Sequence, residues 1–196
     1  MAVTGVDTNG ALIAHRPTDA GPSVVASMEA LPFEESAFDS ALVVLSLHHC
    51  ADLGAASREL RRVARRRVVV VTFDPVVRSN FWFVRDYLPA IPSSYPSCSY
   101  LEDLLGARAK VEPLAVPADC SDGFLAAYWA RPTQILERER QEAMFALRCL
   151  PEVVCHRALN ALAEDLVSGR WHAEHRRLLH TSCLDVGLRV LTFYLS

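Results

Sequence analysis

Glu29-Ala30-Leu31-Pro32-Phe33, then Phe38-Asp39, then Ser40-Ala41-Leu42-Val43-Val44-Leu45-Ser46-Leu47 and His48-His49 form the stretch on which the reading of this chain turns. Residues 40–47 are apolar almost throughout, as expected of a parallel strand covered on both faces. A helix should follow from residue 52 to about 66, because Leu53, Ala56, Leu60 and Val63 recur at helical spacing. Residues 68–73 make the next buried strand, closed by Asp74-Pro75. Strand, helix and strand in this order imply right-handed crossovers in an α/β sheet.

Working outward, residues 2–6 are a short apolar run ending in Asp7, with the turn-forming pair Asn9-Gly10 beyond it. Val24-Val25 reads as a second short strand. Downstream the character changes. Residues 80–88 are rich in aromatic side chains, the loop 89–96 is broken by prolines, and residues 100–105 form a short helix stopped by Gly106. Residues 110–116 return to strand. Helices are expected over 124–130, 134–150 and 151–168, with Pro151 at a helix start and Gly169 just past an end. Residues 185–195 close the chain as a strand.

The bulk properties narrow the function classes. A 196-residue chain that is 51% hydrophobic can bury one substantial core. A net charge of −3 argues against nucleic acid held on a basic face and against a membrane-surface role. No apolar stretch has the length of a membrane span, and residues 1–20 lack the pattern of a secretion signal. The six cysteines form no C-x-x-C pair, so they read as reduced thiols of a cytoplasmic protein, with no metal site.

At Leu31-Pro32-Phe33, Phe38-Asp39, Ser46-Leu47-His48-His49, Glu59-Leu60 and Arg62-Val63, the chain resembles the class I S-adenosylmethionine (SAM)-dependent methyltransferases. The nearest branch is the small-molecule group that includes the quinone-biosynthesis C-methyltransferases. The resemblance is specific over residues 2–74. It implies a Rossmann-like three-layer α/β sandwich with a mostly parallel sheet in the family's order 3-2-1-4-5-7-6. Residues 2–6, 23–26, 40–47, 68–73, 110–116 and 187–195 would be strands 2, 3, 4, 5, 6 and 7. The core would comprise 1–74, 107–116 and 185–196, with helical insertions at 75–106 and 117–184.

The same resemblance implies SAM as cofactor and methyl transfer to a small apolar acceptor. Asp7 would bind the ribose hydroxyls with an ionised carboxylate, helped by Asn9; the plainer alternative is an aspartate that caps its own loop. Ser27-Met28 stands where the family places its adenine contacts, Ser27 replacing the usual aspartate. Met28 would lie on the adenine face or simply in the core. Leu45, Ser46 and Leu47 would pass their main chain beneath the sulfonium. His48 and Asp74 are the candidate proton acceptors, with a structural role the alternative for His48. His49, Phe81, Trp82 and Tyr128 would line the acceptor pocket, or else the aromatics pack insertion helices against one another. Arg61, Arg62, Arg65, Arg66 and Arg67 read as the solvated face and end of a helix.

Strand 1 and the glycine-rich turn after it, which hold the methionyl end of SAM, have no counterpart here, so the fold reads as N-terminally truncated. Gly5 lies inside a strand and Gly10 in the following loop, so neither replaces the turn. About ten backbone groups would lose partners, at roughly 1–3 kcal/mol for each that stays buried, against a typical stability of about 5–15 kcal/mol. Strand 2 must then pair with strand 4, or a strand must come from another chain, making a homo-oligomer through the open edge, or the edge must stay wet. A non-catalytic binding or dimerising module is the competing reading.

Overall fold

The computed structural model of the protein describes residues 2–77, 80–89 and 94–195; of the loop 89–96, residues 90–93 therefore lie outside it. The chain divides into two compact units: residues 1–72, 94–112 and 189–196, and residues 73–93 and 113–188. The segment 94–106, expected in the insertion, belongs to the sheet-bearing unit.

The first unit holds β1 (Gly5–Asp7), α1 (Gly10–Ala14), β2 (Ser23–Val25), β3 (Phe38–Val44), α2 (Leu53–Val63), β4 (Ala64–Phe73), α4 (Cys98–Leu105), β5 (Ala109–Pro113) and β8 (Leu188–Tyr194). β1 and β2 form a parallel pair, Asp7 opposite Val25. The second sheet runs β3-β4-β8-β5, with β3 parallel to β4 and Val43 opposite Val70. In family strand numbers the observed order is 3-2, a break, then 4-5-7-6. Among the described residues no ladder joins β1 to β3, so direct pairing of strand 2 with strand 4 is not the solution.

Side chains tie the two ladders together instead. Glu59 of α2 accepts from the Leu31 N–H at 2.7 Å and holds Arg62 through two further bonds of 2.7 Å. Arg62 in turn donates to the Phe33 and Leu31 carbonyls at 2.6 and 3.0 Å. The loop between β2 and β3 is thereby fastened to α2, which satisfies backbone groups of that loop. Arg61, Arg65, Arg66 and Arg67 are exposed, in keeping with a solvated surface, and Arg62 is half-buried, but the run is not all helix. α2 stops at Val63, and Arg65–Arg67 belong to β4. Arg61 donates to the Leu105 carbonyl and Arg65 pairs with Asp39 at 3.0 Å.

Helices α2 and α4 cover one face of the four-stranded sheet, where Val43, Leu60, Val68, Val70, Leu101, Leu105, Leu191 and Phe193 are buried together. α4 is set by Ser97, whose hydroxyl accepts from the Tyr100 N–H, and by Gly106 in the left-handed conformation that glycine tolerates. On the other face of β3, Leu42 and Val44 are 66% and 53% exposed. The sequence reads this strand as covered on both sides; the described residues cover one.

The second unit contains α3 (Trp82–Tyr87), β6 (Val116–Pro117), α5 (Pro132–Ile135), α6 (Arg138–Ala143), α7 (Phe145–Arg148), α8 (Glu152–Ser168), α9 (Arg170–His175) and β7 (Cys183–Leu184), with β6 antiparallel to β7. The single helix expected over 134–150 is broken at Glu137 and Met144, whose ψ angles of 118° and 88° leave the helical region. Met144 is fully buried, so packing overrides local helical preference there. Trp82, Trp129 and Trp171 are buried here. Among the described residues no helix is long and apolar enough to cross a membrane.

Candidate functional site

The C-terminal ends of β1, β2 and β3 are linked to one another. Ala26 N–H donates to the Asp7 carbonyl at 3.1 Å, carrying the end of β1 to the loop after β2. Two residues on, Met28 packs against the cluster containing Val43 and Leu47. Glu29 then accepts from the N–H groups of Ala51 and Asp52 at 2.6 and 3.0 Å, fixing this loop to the segment after β3. Asp7, Ser27, Met28 and residues 45–48 therefore share one end of the unit. Open α/β sheets bind ligands at the carboxyl ends of their strands. Glu29, like the Glu59–Arg62 clamp, was passed over in the sequence reading, because a carboxylate aimed at the start of a helix far along the chain leaves no local periodic signal.

Asp7 serves its own loop and leaves room for more. Its Oδ1 accepts from the Asn9 N–H at 2.7 Å, which is the loop-capping role, while Oδ2 takes no hydrogen bond among the described residues. The Asn9 side-chain oxygen caps α1 by accepting from the Ala11 and Leu12 N–H groups, so that oxygen is committed to the helix. Ser27 Oγ accepts from Glu29 N–H at 3.2 Å; the hydroxyl proton remains available to a ligand. Met28 is partly buried against the core, as the plainer of its two readings has it. Gly5 is overlain by the Arg16 guanidinium, so it serves β1 and takes no part in a cofactor turn.

β3 ends in an unusual way. Leu45 donates its N–H to the Val71 carbonyl at 2.9 Å, yet its φ is +47°. Ser46 follows, then a single 3-10 turn, Leu47–His49. The His48 ring lies 3.8 Å from His49 and 4.3 Å from Tyr95, centroid to centroid. Burial, with the neighbouring His49 second, pulls the His48 imidazole down to about 4. An unfolded histidine titrates near 6.5. The unfolded chain therefore takes up a proton that the folded chain refuses, and His48 lowers stability as pH falls from about 6.5 to about 4. NMR titration should find the ring neutral at pH 5.5; a midpoint above 6 would contradict the buried, stacked placement.

Asp74, Phe81, Trp82 and Tyr128 belong to the second unit. Asp74 follows β4 in the second unit, where its Oδ1 accepts from the Val76 N–H at 3.0 Å and its own N–H donates to the Gly187 carbonyl at 2.9 Å. Phe81, Trp82 and Tyr128 are buried in that unit. Trp82 stands edge-on to Trp171 at 5.2 Å and donates to the Trp129 carbonyl at 2.8 Å. The guanidinium groups of Arg131 and Arg140 lie over the Tyr128 ring. These three aromatics pack the insertion helices, the alternative reading, instead of lining a cavity. In the first unit the aromatic ring packed against His48 is Tyr95.

As a donor set this end suits the adenosyl half of a SAM molecule. It offers an open carboxylate oxygen, a hydroxyl, an apolar thioether and a strand end that turns away from its ladder. The described residues supply no glycine-rich turn for the amino-acid end.

Residues 1–72 match a family model described as a methyltransferase domain. No curated protein matches the chain. Among solved structures it is similar to a protein of Anabaena variabilis described as a methyltransferase from an antibiotic biosynthesis pathway, at 23% identity and a TM-score of 0.79, covering 98% of this chain and 81% of that one. It is also similar to the 4+2 cyclase SpnF, at 15% identity and a TM-score of 0.52, covering 99% of this chain and 66% of that one. The match over residues 1–72 and the likeness to these structures show the Rossmann-like fold of a methyltransferase domain.

Proposed function

We propose that this chain is a SAM-dependent methyltransferase that transfers the methyl group to a small, largely apolar acceptor, with Asp7, Ser27, Met28 and residues 45–47 holding the adenosyl part. What carries the reading is the linkage of the β1, β2 and β3 ends through Ala26, Met28 and Glu29. When bound, SAM supplies an activated methyl on a sulfonium, so the chain's own task is chiefly orientation. The Asp7 Oδ2 accepts a ribose hydroxyl, and the Ser27 hydroxyl donates to the adenine. The neutral His48, packed against Tyr95, is the group assigned to proton uptake from the acceptor. The apolar character of Met28, Leu45, Leu47 and the His48–Tyr95 pair favours an uncharged acceptor. The free cysteines favour a cytoplasmic setting.

Titration calorimetry with SAM tests the reading. The wild-type chain is expected to bind with one-to-one stoichiometry. Asp7→Asn still closes the Asn9 turn and should lose roughly 10- to 100-fold in affinity, the worth of a charge-assisted hydrogen bond. No heat with the wild type, or equal affinity in the variant, counts against it.

A second reading has its own support. The unjoined β1 and β3 edges and the exposed Leu42 and Val44 suit pairing with another chain, and hence a homo-oligomer or a non-catalytic binding module. A monodisperse monomer in light scattering removes that support.

A further inference from the structure

We infer that Leu45 is a positioning residue: its left-handed backbone, pinned at the last rung of the β3–β4 pairing, turns residues 46–48 out of the sheet and sets the His48 ring against Tyr95. The inference rests on the reading of the strand ends as a SAM crevice and adds a specific device to it.

Leucine at φ +47° is uncommon. Left-handed backbone is disfavoured for residues with a Cβ and is taken up routinely only by glycine, and at times by asparagine or aspartate. Among the described residues only Ser36 and Leu45 are non-glycine residues with positive φ. Such a conformation persists only where its surroundings over-determine it, and such residues gather at binding sites. Two constraints meet here. On one side the Leu45 N–H is held by the Val71 carbonyl, so the residue cannot shift along the ladder. On the other, the 3-10 turn begins two residues later, closed by His49 N–H on the Ser46 carbonyl at 3.0 Å. Extended backbone at Leu45 would carry Ser46 and Leu47 onward along the strand. Leu47 would then leave the core cluster in which it is buried, and His48 would leave Tyr95. The left-handed turn is what lets Leu47 face inward while His48 reaches the aromatic ring that arrives just before α4.

The test uses the whole chain and three substitutions. Leu45→Asn and Leu45→Gly are compatible with left-handed backbone, whereas Leu45→Val is β-branched and resists it. Two readouts are taken: the ring-current shift that Tyr95 imposes on the His48 imidazole protons, assigned with Tyr95→Ala, and the SAM affinity by calorimetry. Asparagine and glycine variants should keep the shift. The valine variant, if folded, should lose the shift and at least tenfold in affinity. A folded valine variant with both values unchanged overturns the inference. If valine prevents folding, displacement of His48 in both other variants overturns it, and retention in both supports it. Absence of SAM binding by the wild type sinks the crevice reading and the inference with it; binding that all three variants leave unchanged sinks the inference alone.

Discussion

Trp82→Ala is expected to lower the melting temperature by roughly 10 °C or more and to leave SAM affinity of the folded protein unchanged. Trp82 is 1% exposed, and its indole is enclosed by Phe83, Trp171 and His175 at ring distances of 5.2–5.8 Å. Truncation of a buried aromatic of this size costs about 3–5 kcal/mol, since neighbours only partly fill the space. It also strips the Trp129 carbonyl of its donor, a buried acceptor that no water reaches cheaply. Trp82→Phe, which keeps most of the ring area and loses the hydrogen bond, should fall between the two. Were Trp82 the wall of an acceptor pocket, alanine would spare stability and alter ligand preference. A melting temperature within about 2 °C of wild type would therefore restore the pocket assignment and refute the packing one.

The second large effect is expected at Glu59. Glu59→Ala removes the acceptor of the Leu31 N–H and the partner that aims Arg62 at Leu31 and Phe33. Hydrogen bonds to charged groups are worth about 1.5–3 kcal/mol each where they are shielded, and the Glu59 side chain is largely covered. Loss of about 2–3 kcal/mol, or roughly 5–10 °C, is expected. Because this clamp fastens the β2–β3 loop to α2, amide exchange should quicken at residues 5–7 and 23–25 before it does in β4. Uniform exchange across both sheets would show that the β1–β2 pair is held by something else.

The same carboxylate sets an acid limit. The Arg62 guanidinium hydrogen-bonded to Glu59, with the Leu31 N–H assisting, holds its carboxyl at about 2, whereas an unfolded glutamate titrates near 4.3. The folded protein thus binds fewer protons than the unfolded chain between these values. The stabilisation from the clamp is complete above about pH 4.3 and is lost as pH falls toward about 2. In Glu59→Gln the stability difference from wild type should shrink over that window, measured by denaturant unfolding at pH 6, 4 and 3. A difference that stays constant with pH would mean that the charge of Glu59 contributes nothing.

Much of the fold could be read from local pattern. The apolar run ending at Leu47, the Leu53, Ala56, Leu60 and Val63 repeat, and the valines of β4 each fixed an element through burial on a 2.0 or 3.6 residue period. Gly106 after α4, and Gly169 beyond α8, mark helix ends through the left-handed backbone that glycine readily adopts. The strand order then followed from the family resemblance, and the observed order 3-2, then 4-5-7-6, agrees with it. Of the candidate site, Asp7, Ser27 and residues 45–48 are marked in the sequence only by standing at or just after strand ends.

What escaped the sequence was whatever depends on distant partners. Trp82 and Tyr128 looked like pocket residues because aromatic composition is the same in a pocket and in a core; which one applies is decided by what packs over the ring. Arg62 reads as solvated because a helical repeat says which side a residue occupies and nothing about the carbonyls it meets there. The left-handed turn at Leu45 has no sequence mark, since leucine is a poor choice for that conformation and only the β4 rung and the buried Leu47 impose it. The sequence by itself determined the main strands and the amphipathic helix between them, because those follow from periodic burial along the chain. Only the tertiary structure decided how the β1–β2 pair is held beside a sheet with which it shares no ladder, because that rests on the reach of Glu29, Glu59 and Arg62 across 22 to 31 residues of chain.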